Sequence, residues 1–371
     1  MAETVRAAVQ VAPRKIEVRE FPRPKIGDDD ALLRVEANGI CGSDVEIYKG
    51  HMGVGTRSDF TPFVPGHEPM GVIEEIGERA AARWGVQPGD RVAVEIIVPC
   101  HSCRQCVTGA YQSCRNRRAS HGVTGIDVAP SLWGGFAELM YLSPNTIVHK
   151  IDKTLPVEVA AMFNPLGAGV RWALHYGGVK LGDTVLILGS GQRGLASVIA
   201  CRAAGAGKII VTGLESDAHK LALAKEFGAD HTIVVDGENA QDTVETVREL
   251  TDGEGADVVL ELTPMAVQPL HDALLAARHG GRVVLAGLKG HRDIPLKTDL
   301  IINRALTVVG AFGVDYRGME EAIQIIESRR YPLERLHTHS FTLDQTALAI
   351  ETLAGEVPGE LPVHVTVHPN A

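Results

Sequence analysis

Thr184-Val185-Leu186-Ile187-Leu188-Gly189-Ser190-Gly191-Gln192-Arg193-Gly194 is a short apolar strand that runs without a break into a glycine turn. The first glycine permits the tight turn, the second lets a pyrophosphate approach the backbone, and the third lets the following helix pack closely on the strand. The phosphate charge would then be met by the helix N-terminus. A turn of this spacing is weak by itself, and its surroundings strengthen it. Apolar runs at Ile209-Thr212, Thr232-Val235, Val258-Leu260, Val283-Ala286 and Thr307-Val309 alternate with helix-period segments at Gly194-Ala204, Asp217-Phe227, Ala240-Leu250 and Val267-Ala276. This alternation predicts an α/β unit: a parallel, doubly wound sheet covered on both faces, with a dinucleotide at Gly189, Gly191, Gln192, Arg193 and Gly194.

The second apolar run ends Val211-Thr212-Gly213-Leu214-Glu215-Ser216-Asp217, where an acid about twenty residues past the turn would hold the adenosine ribose. Gly213 stands where that acid is expected, and Glu215 follows two residues later. Glu215 either binds the ribose or lies in the first turn of the next helix, where acids are favoured by the macrodipole.

Upstream, residues 1 to about 160 read as β-rich: Val5-Val11, Lys15-Glu20, Ala31-Ala37, Gly71-Ile76 and Arg91-Glu95 alternate at period two between Pro and Gly. Downstream, helices at Arg317-Arg329 and Asp344-Ala354 precede a last run at Val363-Val367, in a tail too short for its own core. That tail is expected to rejoin the first domain. The 371 residues suit about two domains, and 45% hydrophobic content excludes a disordered chain. A net charge of −10 speaks against a nucleic-acid or anionic-membrane partner. Without an 18-residue apolar run, and with Met1-Arg6 lacking a signal-peptide pattern, the expected location is the cytoplasm.

Four of the six cysteines lie in Cys100-x2-Cys103-x2-Cys106-x7-Cys114. Four thiolates on one short excursion close a tetrahedral Zn²⁺ site with no position left for substrate, which makes the role structural. An iron–sulfur cluster also takes four cysteines, but with other spacings. Cys201 reads as a small core residue. A dispersed set, Cys41 with His67-Glu68, supplies the ingredients of an open zinc site. Each of the three also has an ordinary reading, as core or as a solvated turn.

Taken together, Cys41-Gly-Ser-Asp44, Pro65-Gly-His-Glu68, the four-cysteine lobe, Gly134-Gly-Phe-Ala-Glu138, the glycine turn and Gly280-Gly-Arg-Val-Val284 resemble the zinc-dependent medium-chain alcohol and polyol dehydrogenases, close in texture to sorbitol and threonine dehydrogenases. The resemblance implies a discontinuous GroES-like β-barrel catalytic domain, residues 1–165 and 307–371, and a Rossmann coenzyme domain, residues 166–306, with the active site in the cleft between them. It implies a catalytic zinc on Cys41, His67 and Glu68, with Glu68 a ligand or a close neighbour of the metal. Asp44 would orient His67, Ser43 would accept the alcohol proton, and a second zinc would sit in the cysteine lobe. NAD is the expected cofactor over NADP, because Glu215 and Asp217 precede His219 and Lys220. A small alcohol or carbonyl substrate and a homodimer or homotetramer are also implied.

Three departures stand out. Asn164-Pro165-Leu166 has an amide where relatives place Cys or Glu; it would orient a water at the zinc, or cap the helix expected at Gly167-His175. Glu46 replaces a histidine of the usual proton route, as a relay or as an exposed helix carboxylate. The ribose-acid loop is about two residues longer than in the best-known members. The stretch Tyr48-Val64, with His51, Met52, Phe60 and Phe63, is expected to form an apolar mouth with Ile96, or to be ordinary loop packing. The rival readings are a zinc-independent quinone or enoyl reductase of the same fold, which has no use for Cys41, His67 and Glu68, and a non-catalytic dinucleotide-binding protein.

Overall fold

Small and β-branched residues alternate through the first hairpin, β1 (Thr4–Ala12) and β2 (Lys15–Pro22), which are paired antiparallel. There follow β3 (Ala31–Gly39), β4 (Glu68–Ile76), β5 (Arg91–Val94), β6 (Ile97–Val98), β7 (Ala119–Ser120), β8 (Leu139–Leu142) and β9 (Val148–Lys150). The parallel strands are β10 (Thr184–Leu188), β11 (Lys208–Gly213), β12 (His231–Val234), β13 (Ala256–Glu261), β14 (Ala277–Leu285) and β15 (Thr307–Gly310); β16 (His337–Thr342) and β17 (His364–His368) close the chain. This computed structural model describes residues 4–51 and 60–371, so Met52 of the expected mouth lies outside the described residues. Two compact units emerge, residues 1–164 with 333–371 and residues 165–332.

In the first unit the strand order is β16-β17-β3-β4-β5-β9, with β8 also pairing β3. Strand β3 organises it: Gly39 lies opposite Glu68 on one edge and opposite Thr366 on the other. Leu33, Val35, Ile73, Val92 and Met140 form one buried cluster, and Ile40, Tyr48, Phe136, Ile350 and Val365 another. Buried side chains of this kind contribute roughly 1.5–3 kcal/mol each.

The second unit holds a six-stranded parallel sheet in the order β12-β11-β10-β13-β14-β15. Leu186, Leu188, Ile210, Ile233, Val259 and Val283 fill its core. The order reverses between β10 and β13, where Leu188 lies in register with Glu261, and ligands of such sheets bind outside the strand ends at that point.

Three expectations need correction. Residues 307–332 belong to the second unit, because β15 pairs in parallel with β14 and extends that sheet; only residues 333–371 rejoin the first. Strand β14 starts at Ala277, six residues before the apolar run that announced it. The helix expected at Gly167-His175 starts at Phe163, and its second half, Arg171–Tyr176, is π-helical, with the Gly177 amide donating to the Trp172 carbonyl at 2.8 Å. Among the described residues no helix is long and apolar enough to cross a membrane.

His121 is fully buried, its ring between the Trp133 carbonyl at 3.3 Å and the Thr146 hydroxyl at 3.2 Å. Burial pushes its pKa down to about 4. The unfolded chain therefore binds this proton first, so the stabilisation is present above about pH 6.5 and is lost as pH falls toward 4, a term on the order of 3 kcal/mol. His121→Asn, which cannot titrate, is expected to flatten the fall in melting temperature between pH 6.5 and 4. Parallel wild-type and variant curves would remove His121 from the acid response.

Candidate metal centres and dinucleotide turn

Cys41 caps the helix Gly42–Tyr48 just beyond β3, and Glu68 opens β4 with His67 immediately before it. Gly66 makes that presentation possible: its φ is +90°, and a Cβ there would lie 2.8 Å from the Phe136 amide nitrogen. Asp44, 4% exposed, accepts the Cys41 amide at 2.9 Å through Oδ2 and His67 Nδ1 at 2.9 Å through Oδ1. An ionised carboxylate only accepts, so Nδ1 carries the proton of that bond and Nε2 is the nitrogen left to face a metal. Burial opposes a charged His67, but Asp44 outweighs it and holds the imidazole well above its ordinary range, so a metal entering here must displace a proton. The Ser43 hydroxyl donates to Cys41 Sγ at 3.2 Å and lies 3.3 Å from His67 Nε2.

One ligand atom each from Cys41, His67 and Glu68 lies within 4.8 Å of the other two, all buried. Thiolate, imidazole and carboxylate at this spacing fit a zinc ion that keeps a position open.

The second cluster is denser. Cys103 caps the short helix Arg104–Val107, and the sulfur separations are 3.5 Å for Cys103–Cys106, 3.8 Å for Cys103–Cys114 and 3.9 Å for Cys100–Cys106. Zinc–sulfur bonds of about 2.3 Å in a tetrahedron space the sulfurs about 3.8 Å apart, so these four fit one ion with no disulfide between them. The Ser102 amide and hydroxyl draw Cys100 down to about 5, whereas burial pushes Cys106 up to about 12. Four adjacent thiols do not ionise together without a cation. The lobe is moored by Tyr111, whose hydroxyl donates to the buried Glu95, itself 2.9 Å from His149. This mooring has no sequence signal, because its members are scattered.

At the glycine turn, Gly189 has φ +111° and a Cβ on Gly194 would sit 2.0 Å from the Gly189 carbonyl oxygen. Gly191 caps the helix Gln192–Ala203, and a Cβ there would meet nothing within 4 Å, so the turn leaves open the space a pyrophosphate needs. Gly213 is the last residue of β11, and a Cβ there would lie 2.7 Å from the Ser190 hydroxyl oxygen and 2.9 Å from Leu221 Cδ2. Glu215 sits exposed in a single 3₁₀ turn, with its carboxylate against Gly237, and Lys220 is paired with Asp217 at 2.7 Å.

Asn164 is fully buried in the first turn of the helix Phe163–Val170. It lies inside that helix, so the expectation of a cap before Gly167 fails. Glu46 is an exposed helix carboxylate paired with His51 Nδ1 at 2.6 Å. Phe63 is buried and Phe60 exposed, with ring centroids 6.2 Å apart. Cys201 is buried among the core residues of its helix, as read.

Residues 27–153 match the model of the alcohol dehydrogenase GroES-like domain, and residues 194–328 that of the zinc-binding dehydrogenase. The chain is 43% identical over 370 residues to the Mycobacterium tuberculosis protein named "Probable alcohol dehydrogenase adh", covering 98% of each. It is 33% identical to sorbitol dehydrogenase of Bacillus subtilis, covering 94% of this chain and 93% of that one. Among solved structures it resembles a zinc-binding dehydrogenase of Sinorhizobium meliloti bound to NADP, with a TM-score of 0.85 at 28% identity over 99% of this chain and all of that one. The chain belongs to the zinc-dependent medium-chain dehydrogenase/reductase family and is an oxidoreductase of the alcohol and polyol type that uses zinc and NAD(P).

Proposed function

We propose that this enzyme moves a hydride between the carbinol carbon of a small secondary alcohol, polyol or amino alcohol and NAD, and runs in reverse as a carbonyl reductase. The observation that carries the reading is the convergence of Cys41, His67 and Glu68 with Asp44 locked on His67. Zinc bound there would acidify a substrate hydroxyl, and the nicotinamide would accept the hydride. The chain's own residues do the rest. Cys41, His67 and Glu68 hold the ion, and Asp44 keeps His67 in the coordinating tautomer. Ser43 takes the hydroxyl proton, since its oxygen already lies beside both Cys41 Sγ and His67 Nε2. Asn164 orients the substrate-side water through an amide that both donates and accepts. Cys100, Cys103, Cys106 and Cys114 hold a structural ion.

For the cofactor, Gly189, Gly191, Gln192, Arg193 and Gly194 take the pyrophosphate and Glu215 faces the ribose. NADP needs a free cation for its 2′-phosphate, and Lys220 is already held by Asp217. Secondary alcohols, primary alcohols, polyols and amino alcohols should be assayed with both cofactors. The expected result is turnover of at least one secondary alcohol class with a higher kcat/KM for NAD. A strong NADP preference would reassign Gly213 and Lys220 to the phosphate.

A cytoplasmic homodimer or homotetramer belongs to the same proposal. The edge strand β15 exposes Val308 and the neighbouring helix exposes Ile302, 73% uncovered, an apolar edge that a second copy can cover. A monomer in sedimentation velocity at micromolar concentration would refute the assembly.

A further inference from the structure

Three neighbouring strands of the first unit bring their side chains together over one glycine. Gly39 on β3 lies opposite Glu68 on β4 and opposite Thr366 on β17, and His364, two residues before Thr366, stands on the same face. The two outer strands are about 9.5 Å apart, twice the spacing of paired strands, a gap that long side chains close where the strand between them has none. A Cβ on Gly39 would lie 2.6 Å from Glu68 Oε2 and 3.2 Å from His364 Nε2, so carboxylate and imidazole converge on the same bare α-carbon. Both residues are fully buried. His364 Nε2 has no hydrogen-bond partner among the described residues, a costly state for a buried polar atom.

The other ring nitrogen is engaged. His364 Nδ1 lies 3.3 Å from Nδ1 of His337, its partner in register on β16, and His337 Nε2 lies 2.9 Å from the hydroxyl of the exposed Ser340. Two facing ring nitrogens share one proton, so one ring donates and the other accepts. A carboxylate only accepts. The arrangement that suits Glu68 therefore runs one way: the Ser340 hydroxyl donates to His337 Nε2, His337 Nδ1 donates to His364 Nδ1, and His364 Nε2 keeps a proton to offer.

The geometry points to His364 as a positioning residue for the metal site: across Gly39 it presents an N–H to Glu68 Oε2 and steadies the carboxylate that stands with Cys41 and His67. His337 and Ser340 fix which nitrogen of His364 carries that proton. A donor behind a metal-binding group limits how the group can turn, and losing such a donor lowers metal affinity by roughly 10–100-fold. His364 acts through Glu68 alone. The inference rests on the reading of Cys41, His67 and Glu68 as a zinc site.

The test counts the zinc retained by the zinc-loaded protein as a chelator is titrated in, for wild type, His364→Gln and His364→Asn. The glutamine amide nitrogen reaches the place of Nε2, whereas the asparagine amide stops at that of Nδ1. The ion on Cys100, Cys103, Cys106 and Cys114 is the internal reference. His364→Asn is expected to bind the ion of the open site roughly 10–100-fold more weakly, with the lobe ion unmoved and His364→Gln close to wild type. In cobalt-exchanged protein the visible bands should shift in the asparagine variant and hold in the glutamine variant. Equal retention by both variants and wild type would overturn the proposal and leave His364 as packing. Loss of both ions together in both variants would overturn it as well, because it marks a defect of the fold and not of the site. A wild-type protein that holds only the lobe ion would overturn the open zinc site itself, and this inference with it.

Discussion

Ser43→Ala is expected to lower kcat by roughly 10²–10⁴-fold, the range for a positioned acid–base group, while zinc content stays at about two per chain. The hydroxyl lies beside both Cys41 Sγ and His67 Nε2, at 3.2 and 3.3 Å. Alanine removes it while leaving Cys41, His67 and Glu68 themselves and the Asp44–His67 hydrogen bond in place. Ser43→Thr retains the hydroxyl and should recover most of the turnover. Metal analysis alongside steady-state kinetics separates this effect from metal loss. Near-normal kcat in the alanine variant would take Ser43 out of the proton path.

Cys103→Ser is expected to act on stability rather than on chemistry. Its sulfur lies 3.5 Å from Cys106 and 3.8 Å from Cys114, so its loss opens the tetrahedron on two sides. Structural zinc contributes folding free energy on the order of 10 kcal/mol in small metal-folded units. In a barrel with its own core the loss is smaller, yet a marginally stable chain has little to spare. The variant should hold one zinc, melt well below the wild type and aggregate on warming, while the soluble fraction keeps kcat within a few-fold. A variant of normal melting temperature that has lost turnover would overturn the structural assignment of the lobe.

Much of this architecture is legible in the order of residues. The strand Thr184–Leu188, the turn after it and the helix Gln192–Ala203 fall within a residue or two of where apolar runs and glycine spacing put them. The four cysteines declare themselves for the same reason: their partners are close in sequence. Strand β14 was foreshortened because Ala277–Arg282 contains Gly280-Gly281 and lacks the β-branched residues that mark a strand. Only Ala277 of its first half pairs with β13, opposite Ala256, and the register shifts before the ladder resumes with Arg282 opposite Val258. The helix expected from Gly167 starts four residues earlier, at Phe163, because proline is tolerated in a first turn and Pro165 does not interrupt it.

By itself the sequence determined whatever depends on neighbours a few residues away: the apolar periods, the glycine turn, the metal-binding spacing of the cysteine lobe. Only the tertiary structure decided what depends on register and packing between distant segments. Asp44 and His67, 23 residues apart, share a hydrogen bond because β3 and β4 pair with Gly39 opposite Glu68, and a one-residue slip would turn His67 away. Residues 307–332 stayed with the parallel sheet because the free edge of β14 offers β15 a full ladder of backbone partners. Trp172 lies in a π-helical turn with the Arg193 guanidinium 5.2 Å from its ring centroid, and no periodicity in the chain announces an extra residue in a helical turn. Backbone pairing and side-chain packing set these contacts over the whole unit, and that is why they could not be read along the chain.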